Sequence, residues 1–125
     1  MIVAGVGFRL GTTAEEIEAL VRQALALHAA EGLDRLATEA GKASDAGFRE
    51  AARRLSIEVA ACAAIDLQDA SDRLLTRSAR VQEATGLPSI AEAAALVAAG
   101  RNSRLLGPRI ATARATCALA RGDGR

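Results

Sequence analysis

The sequence predicts an α/β domain, with a largely parallel sheet of about five strands and helices on both faces. Three observations predict it. Apolar runs of strand length alternate with stretches of helical periodicity, the rhythm of βαβ units. The opening run passes through a glycine-rich stretch straight into a helix. The chain has 125 residues and is 50% hydrophobic, which matches a single domain, residues 1–125, with a full core.

Taken in order, Ile2, Val3, Ala4 and Val6 form the first buried strand. Gly5, Gly7 and Gly11 lack Cβ and so let the backbone turn sharply or approach a ligand. Thr13 and Glu16 have capping-box spacing. A polar loop between a strand end and a helix start is where open α/β sheets hold ligands, and free N–H groups there favour an anion. A plain βα connection fits the same residues. Ile17, Leu20, Val21, Ala24 and Leu25 mark one helical face, with His28 at its buried edge and Gly32 as the stop. Leu33–Thr38 reads as a second strand, and residues 38–45 as a loop carrying Lys42, the only lysine. That lysine either meets a carboxylate or phosphate or is an ordinary solvated side chain.

Ser44 or Asp45 can cap the next helix, whose apolar face is Phe48, Ala51, Ala52 and Leu55. Arg49, Glu50, Arg53 and Arg54 form its solvated side. Ile57, Val59 and Ala61 alternate with polar or small neighbours and lead into Cys62 as a third strand. Residues 64–86 fit either a short helix or an exposed connection. There Asp66, Asp69, Asp72 and Glu83 are interleaved with Arg73, Arg77 and Arg80, a pattern read as surface ion pairs in preference to acid–base chemistry. Ser89 and Glu92 form a second capping box before an alanine-rich helix with the stripe Ile90, Ala93, Ala94 and Val97, ended by Gly100. Leu105–Leu106 and Ile110–Leu119 read as two strands or one hairpin.

Composition narrows the function. Aromatic residues are 2% of the chain, with no Trp or Tyr, which argues against the stacking platforms of single-stranded nucleic-acid binders. A net charge of +1 gives no global steering field. Cys62 and Cys117 lie outside any metal-ligand spacing and read as small buried hydrophobes, so neither a metal nor a cofactor is expected. No leader and no apolar run of membrane-spanning length is expected, so a cytoplasmic setting follows by elimination. The last stretch differs: Arg101, Arg104, Arg109, Arg114, Arg121 and Arg125 oppose only Asp123, a local charge of +5. Small residues beside those arginines leave room for a bulky anion, while an edge hairpin guarded by arginines fits equally well.

Three stretches together resemble one family: Val3 to Glu16, Val81-Gln82-Glu83-Ala84-Thr85-Gly86-Leu87-Pro88-Ser89-Ile90 to Ala95, and Leu105 through Pro108-Arg109 to Ala120. The chain is similar to CobE and the C-terminal domain of CbiG, a family of cobalamin (vitamin B12) biosynthesis. The resemblance implies a three-layer α/β/α sandwich with a mixed, mostly parallel sheet. It also implies a corrin-ring precursor, of precorrin or hydrogenobyrinic acid type, held by an auxiliary or carrier protein of the aerobic pathway, with other enzymes of the pathway as partners. Carried over by position, the ligand-facing residues are Arg9, Gly11, Thr12, Thr13, Lys42, Arg109 and Thr116. Arg109 stands where relatives often carry lysine, which keeps the charge but changes its geometry. Arg114 falls where they often have glycine. The longer relatives imply an alternative, a hydrolase opening the lactone of a (cobalt-)precorrin-5A; here it would lean on Lys42, Thr12 or Glu83. A nucleotide phosphate at Gly5 to Thr13 is a further alternative, though neither the P-loop lysine pattern nor the full dinucleotide spacing is present.

Overall fold

The computed structural model describes the whole chain, Met1–Arg125. Its centre is β1 (Ile2–Phe8), flanked by β2 (Arg35–Glu39) and by β6 (Ala115–Arg121). β1 and β2 run parallel, as do β2 and β3 (Glu58–Cys62). β6 lies antiparallel to β1 along its full length, from Ile2 opposite Arg121 to Phe8 opposite Ala115. Its other edge takes β4 (Arg104–Leu105) and β5 (Ile110–Ala111), again antiparallel. Five strands therefore point one way and β6 alone runs against them, the mixed, mostly parallel sheet expected. The sixth strand arises because Gly107 and Pro108 interrupt the outer edge; proline cannot donate to a ladder, so pairing breaks there.

α1 (Ala14–Leu27) and α2 (Ala46–Arg54) cover one face of the sheet. α5 (Ile90–Ala99) and the short α3 (Ala64–Asp69) cover the other, while α4 (Ala79–Thr85) stands at one end of the sheet. The alternation of β1 builds both layers: Ala4, Val6 and Phe8 pack among α1 and α2, and Val3 packs under α5. The only two aromatic residues meet in the first layer, Phe8 stacking on Phe48 with ring centroids 5.5 Å apart. Both cysteines are buried and free; burial pushes the Cys62 thiol up to about 11, aided by nearby Asp66, and the Cys117 thiol up to about 12.

Several local expectations change. Gly5 does not turn the chain. It sits within β1, where a Cβ would lie 2.0 Å from the carbonyl oxygen of Ala91 and 2.5 Å from the amide of Ala95. The backbone of α5 rests directly on the strand, and no other residue fits beneath it. Gly7 is also in the strand, and only Gly11, at φ +88, makes a turn. α5 is buried almost all round, since the sheet and α3 both pack against it, so the single stripe read from its sequence is too narrow. α1 ends at Leu27 with His28 as its cap and Ala29 at φ 50, before Gly32. His28 packs on Gly107, where a Cβ would come within 2.6 Å of its ring. In the 64–86 stretch the carboxylates Asp66, Asp69, Asp72 and Glu83 form no ion pair. Arg73 donates instead to the carbonyl and hydroxyl of Ser103, each at 3.1 Å, and Arg77 to the Ser71 carbonyl at 3.2 Å. The arginines reach backbone acceptors that sequence spacing does not reveal.

The contact beneath α5 gives a direct test. Gly5→Ala overpacks the β1–α5 seam and lowers stability by about 3 kcal/mol, or roughly 10 °C in melting temperature. Gly32→Ala, with nothing within 4 Å of the new methyl, is the matched control and moves the melt little. Equal melts for the two variants would contradict the packing described.

Candidate functional site

The parallel strands β1 and β2 end at one rim of the sheet, and this is where a hollow opens. Gly7 and Phe8 of β1, Thr38 and Glu39 of β2, Lys42 beyond them and Ile90 at the start of α5 supply its floor and one side. The β5–β6 hairpin, residues 111–116, supplies a second side, and α4 a third. The cavity measures about 320 Å³. An adjoining hollow of about 460 Å³ shares Glu39, Lys42, Thr85 and Ile90 with it and adds apolar wall from Leu10, Leu67 and Leu87. The two form one cleft, apolar toward α3 and cationic toward the hairpin.

Each side chain is positioned for a local reason. Thr38 is fully buried and its hydroxyl donates to the Val6 carbonyl at 2.7 Å, tying the ends of β1 and β2 together. Lys42 ends a short 3₁₀ turn (Ala40–Lys42); its ammonium donates to the Phe8 carbonyl, lies 5.3 Å from the centre of the Phe8 ring and stands 4.0 Å from Glu39. Asp45 caps α2 by accepting from the Phe48 amide at 3.0 Å, which holds that loop in place. Five cations line the first cavity: Arg9, Lys42, Arg80, Arg109 and Arg114. Arg114 is 3.9 Å from Glu16. Arg9, Arg80 and Arg109 have no carboxylate within ion-pair distance.

Of the residues expected to face a ligand, Arg9, Lys42, Arg109 and Thr116 line this cavity together. Thr116 sits opposite Gly7 in the ladder and its hydroxyl donates to the Gly7 carbonyl at 3.4 Å. Gly11, Thr12 and Thr13 do not line it. The Thr12 hydroxyl is buried and donates to the carbonyls of Arg9, at 2.6 Å, and Arg114, at 3.4 Å. The Arg9 amide also donates to Arg114, so Thr12 and the backbone staple the β1–α1 loop to the hairpin. Thr13 is the N-cap of α1, bonded reciprocally with Glu16, so part of the N–H array expected to receive an anion is already taken. The C-terminal arginines divide. Reversal of β6 leaves Arg114 beside the cleft and carries Arg121 to the far end of the sheet, opposite Ile2 and paired with Arg104. Arg101 and Arg125 lie at that far end too, beside Met1. The local charge of +5 is therefore not one patch.

The sequence left 64–86 open between a short helix and a connection, and it showed neither that α4 borders the cleft nor the role of Glu92. Glu92 is fully buried on α5. Ser89 caps the helix by accepting from the Glu92 amide, but the Glu92 carboxylate does not return the bond. It accepts instead from the amides of Leu75 at 2.7 Å, Thr76 at 2.9 Å and Arg109 at 2.9 Å, and from the Thr76 hydroxyl at 2.5 Å. One carboxylate thus pins the segment leading into α4 and Arg109, the residue just before β5. Burial pushes its pKa up, but the bonds from Thr76, Arg109 and Leu75 outweigh this and leave it below the ordinary 4.5. No signal beyond its spacing from Ser89 marked it.

An open α/β sheet with a cationic, half-apolar cleft at its strand ends has the position and lining of a small-molecule site. The comparisons with known proteins agree on the family. The family described as "Cobalamin synthesis G C-terminus" matches residues 2–120. The chain is 38% identical over 121 residues to "Protein CobE" of a Sinorhizobium species, covering 95% of this chain and 79% of that protein. It superposes on the crystal structure of CobE, described as a protein from the cobalamin (vitamin B12) biosynthetic pathway, with a TM-score of 0.92, 38% identity and coverage of 100% of this chain and 92% of that one. It matches the cobalamin biosynthesis protein ChiG of Agrobacterium tumefaciens with a TM-score of 0.78, 36% identity and coverage of 98% and 99%. The chain belongs to the CobE/CbiG C-terminal family and is a protein of cobalamin biosynthesis. No helix is long and apolar enough to cross a membrane.

Glu92 yields a measurable pH dependence. Its carboxyl is lowered on folding, so the stability it adds is present above the ordinary carboxylate range and is lost as pH falls through the lower folded value. Glu92→Gln lowers stability by about 2–3 kcal/mol at neutral pH, because buried donors lose a charged acceptor. The gap between variant and parent narrows as pH falls below 4.5. A gap that stays constant or widens on acidification, read by denaturant melts, would contradict the assignment.

Proposed function

We propose that this protein binds a corrin-ring precursor, of precorrin or hydrogenobyrinic acid type, in the cleft at the ends of β1 and β2, and serves the aerobic route as an auxiliary or carrier. The observation that carries the reading is the set of three guanidiniums without ion-pair partners, Arg9, Arg80 and Arg109, around one hollow with an apolar side. Corrin precursors are broad apolar macrocycles rimmed with carboxylates. Guanidinium forks match carboxylates in shape and charge, and an apolar wall accepts the ring. At about 320 Å³ the first cavity is at the small end for a ligand site and takes one edge of such a ring with its acid side chains. The rest stays outside, which suits a protein that passes its ligand to another enzyme of the pathway in the cytoplasm.

The hydrolase alternative draws less support from the same cleft. The Thr12 hydroxyl is occupied by two carbonyls, Glu83 lies outside the lining, and the Lys42 ammonium is already engaged at Phe8. A phosphate at the N-terminal loop is likewise less favoured, because Gly5 is sealed beneath α5 and the α1 terminus is capped by its own residues.

Titration with hydrogenobyrinic acid, followed by its visible spectrum, tests the proposal. Arg9→Ala and Arg109→Ala each weaken binding about tenfold or more, the loss of one charge-assisted hydrogen-bonded pair, with unchanged melting temperature. A spectral shift with unchanged ligand mass is the carrier result, and a changed mass is the hydrolase result. Wild-type affinity in both variants would remove the cleft from the function.

A further inference from the structure

The cleft has one loose wall. The ends of β1 and β2, the start of α5 and the β5–β6 hairpin are all held by sheet pairing or core packing. α4 is different. It is seven residues long and none of them is buried. No helix or strand packs along it, and a helix so short is unstable without packing. Its hydrogen bonds are local: Ser78 accepts from the Val81 amide at 3.3 Å, and the Thr85 hydroxyl donates to the carbonyls of Val81 and Leu87. The one link outward is from the Gln68 side chain to the Gly86 carbonyl, at 3.2 Å. Yet α4 turns Arg80, Val81, Ala84 and Thr85 toward the cavity.

Both of its ends are fixed, and both are fixed to α5. On one side the Glu92 carboxylate holds the amides of Leu75 and Thr76. On the other, Leu87, Pro88 and Ser89 are buried as they enter α5. Between these anchors lies Gly86, at φ +83, a left-handed position from which glycine moves without a Cβ penalty. A strap with rigid anchors, a glycine joint and an unpacked middle can move as a unit over the hollow it borders.

We propose that α4 is a lid that closes on the bound ligand and that Arg80 is a ligand-binding residue, delivered to the carboxylate rim by that closure. The inference rests on the reading of the cleft as a site for an acid-rimmed macrocycle. The closed state gains an ion pair for Arg80 and apolar contact for Val81 and Ala84. That difference in contact is what a ligand needs in order to shift the lid. It also adds a cation from the α4 wall to those of the β1–α1 loop and the hairpin.

Hydrogen exchange on the full chain, free and with hydrogenobyrinic acid, tests this beside an absorbance titration of the parent, Arg80→Ala and Arg80→Lys. In the free protein the amides of residues 79–85 exchange far faster than those of 90–99, and saturating ligand slows them about tenfold or more. Arg80→Ala weakens binding about tenfold and reduces that protection, while Arg80→Lys restores part of both, as one charge-assisted bond requires. Free-state protection of 79–85 equal to that of α5 overturns the lid. So does binding, seen by absorbance, that leaves 79–85 unchanged. Absence of any absorbance change with the parent protein overturns the ligand and the closure together, and the separate optical signal tells that failure from the other two.

Discussion

A single buried carboxylate holds the cleft end of this protein together. Glu92 lies on the most deeply packed helix, fully removed from water, with no cation as its partner. A charge so placed is costly unless every lone pair is met. Here three backbone amides and a hydroxyl meet them. The donors come from two segments distant in sequence, residues 75–76 and Arg109. Their common acceptor brings the approach to α4 and the start of β5 to one point beneath the cleft. Both arginine-bearing walls, those of Arg80 and Arg109, thereby take their position from α5.

α5 can serve as that anchor because of what lies under it. Its alanines and the missing side chain of Gly5 let helix and strand backbones come into direct contact. β1 is then locked from both edges, by β2 in parallel and by β6 in reverse. The reversal of β6 also decides the electrostatics. A strand that begins at the cleft and ends at the opposite rim separates Arg114 from Arg121 and leaves the cleft with only the arginines of α4 and of its bordering loops.

Much of this was legible in the residues. Strand and helix order, the Thr13–Glu16 capping box, the Asp45 cap and the place of Lys42 all follow from local spacing, because each depends on neighbours within a few residues. The four cavity residues Arg9, Lys42, Arg109 and Thr116 came from resemblance rather than from periodicity. What stayed hidden is long-range. Helices of six and seven residues are too short to show a period, so the stretch holding α3 and α4 stayed open between a short helix and a connection, and Arg80 was not singled out. Gly5 looked like a turn because the sequence cannot show the helix that arrives about ninety residues later. Glu92 looked like half of a capping box because its true donors are 16 and 17 residues away. Thr12 was chosen as a ligand contact, when its hydroxyl joins the two loops that carry Arg9 and Arg114.

In the proposed function the strand-end cleft takes one acid-bearing edge of a corrin ring and leaves the remainder exposed. The most direct measurement is a crystal structure of the protein soaked or grown with hydrogenobyrinic acid. Ring density is expected against Ile90 and Leu87, with carboxylates reaching Arg9 and Arg109 and the far side of the macrocycle in solvent. Density at the opposite end of the sheet, beside Arg101 and Arg125, would contradict it.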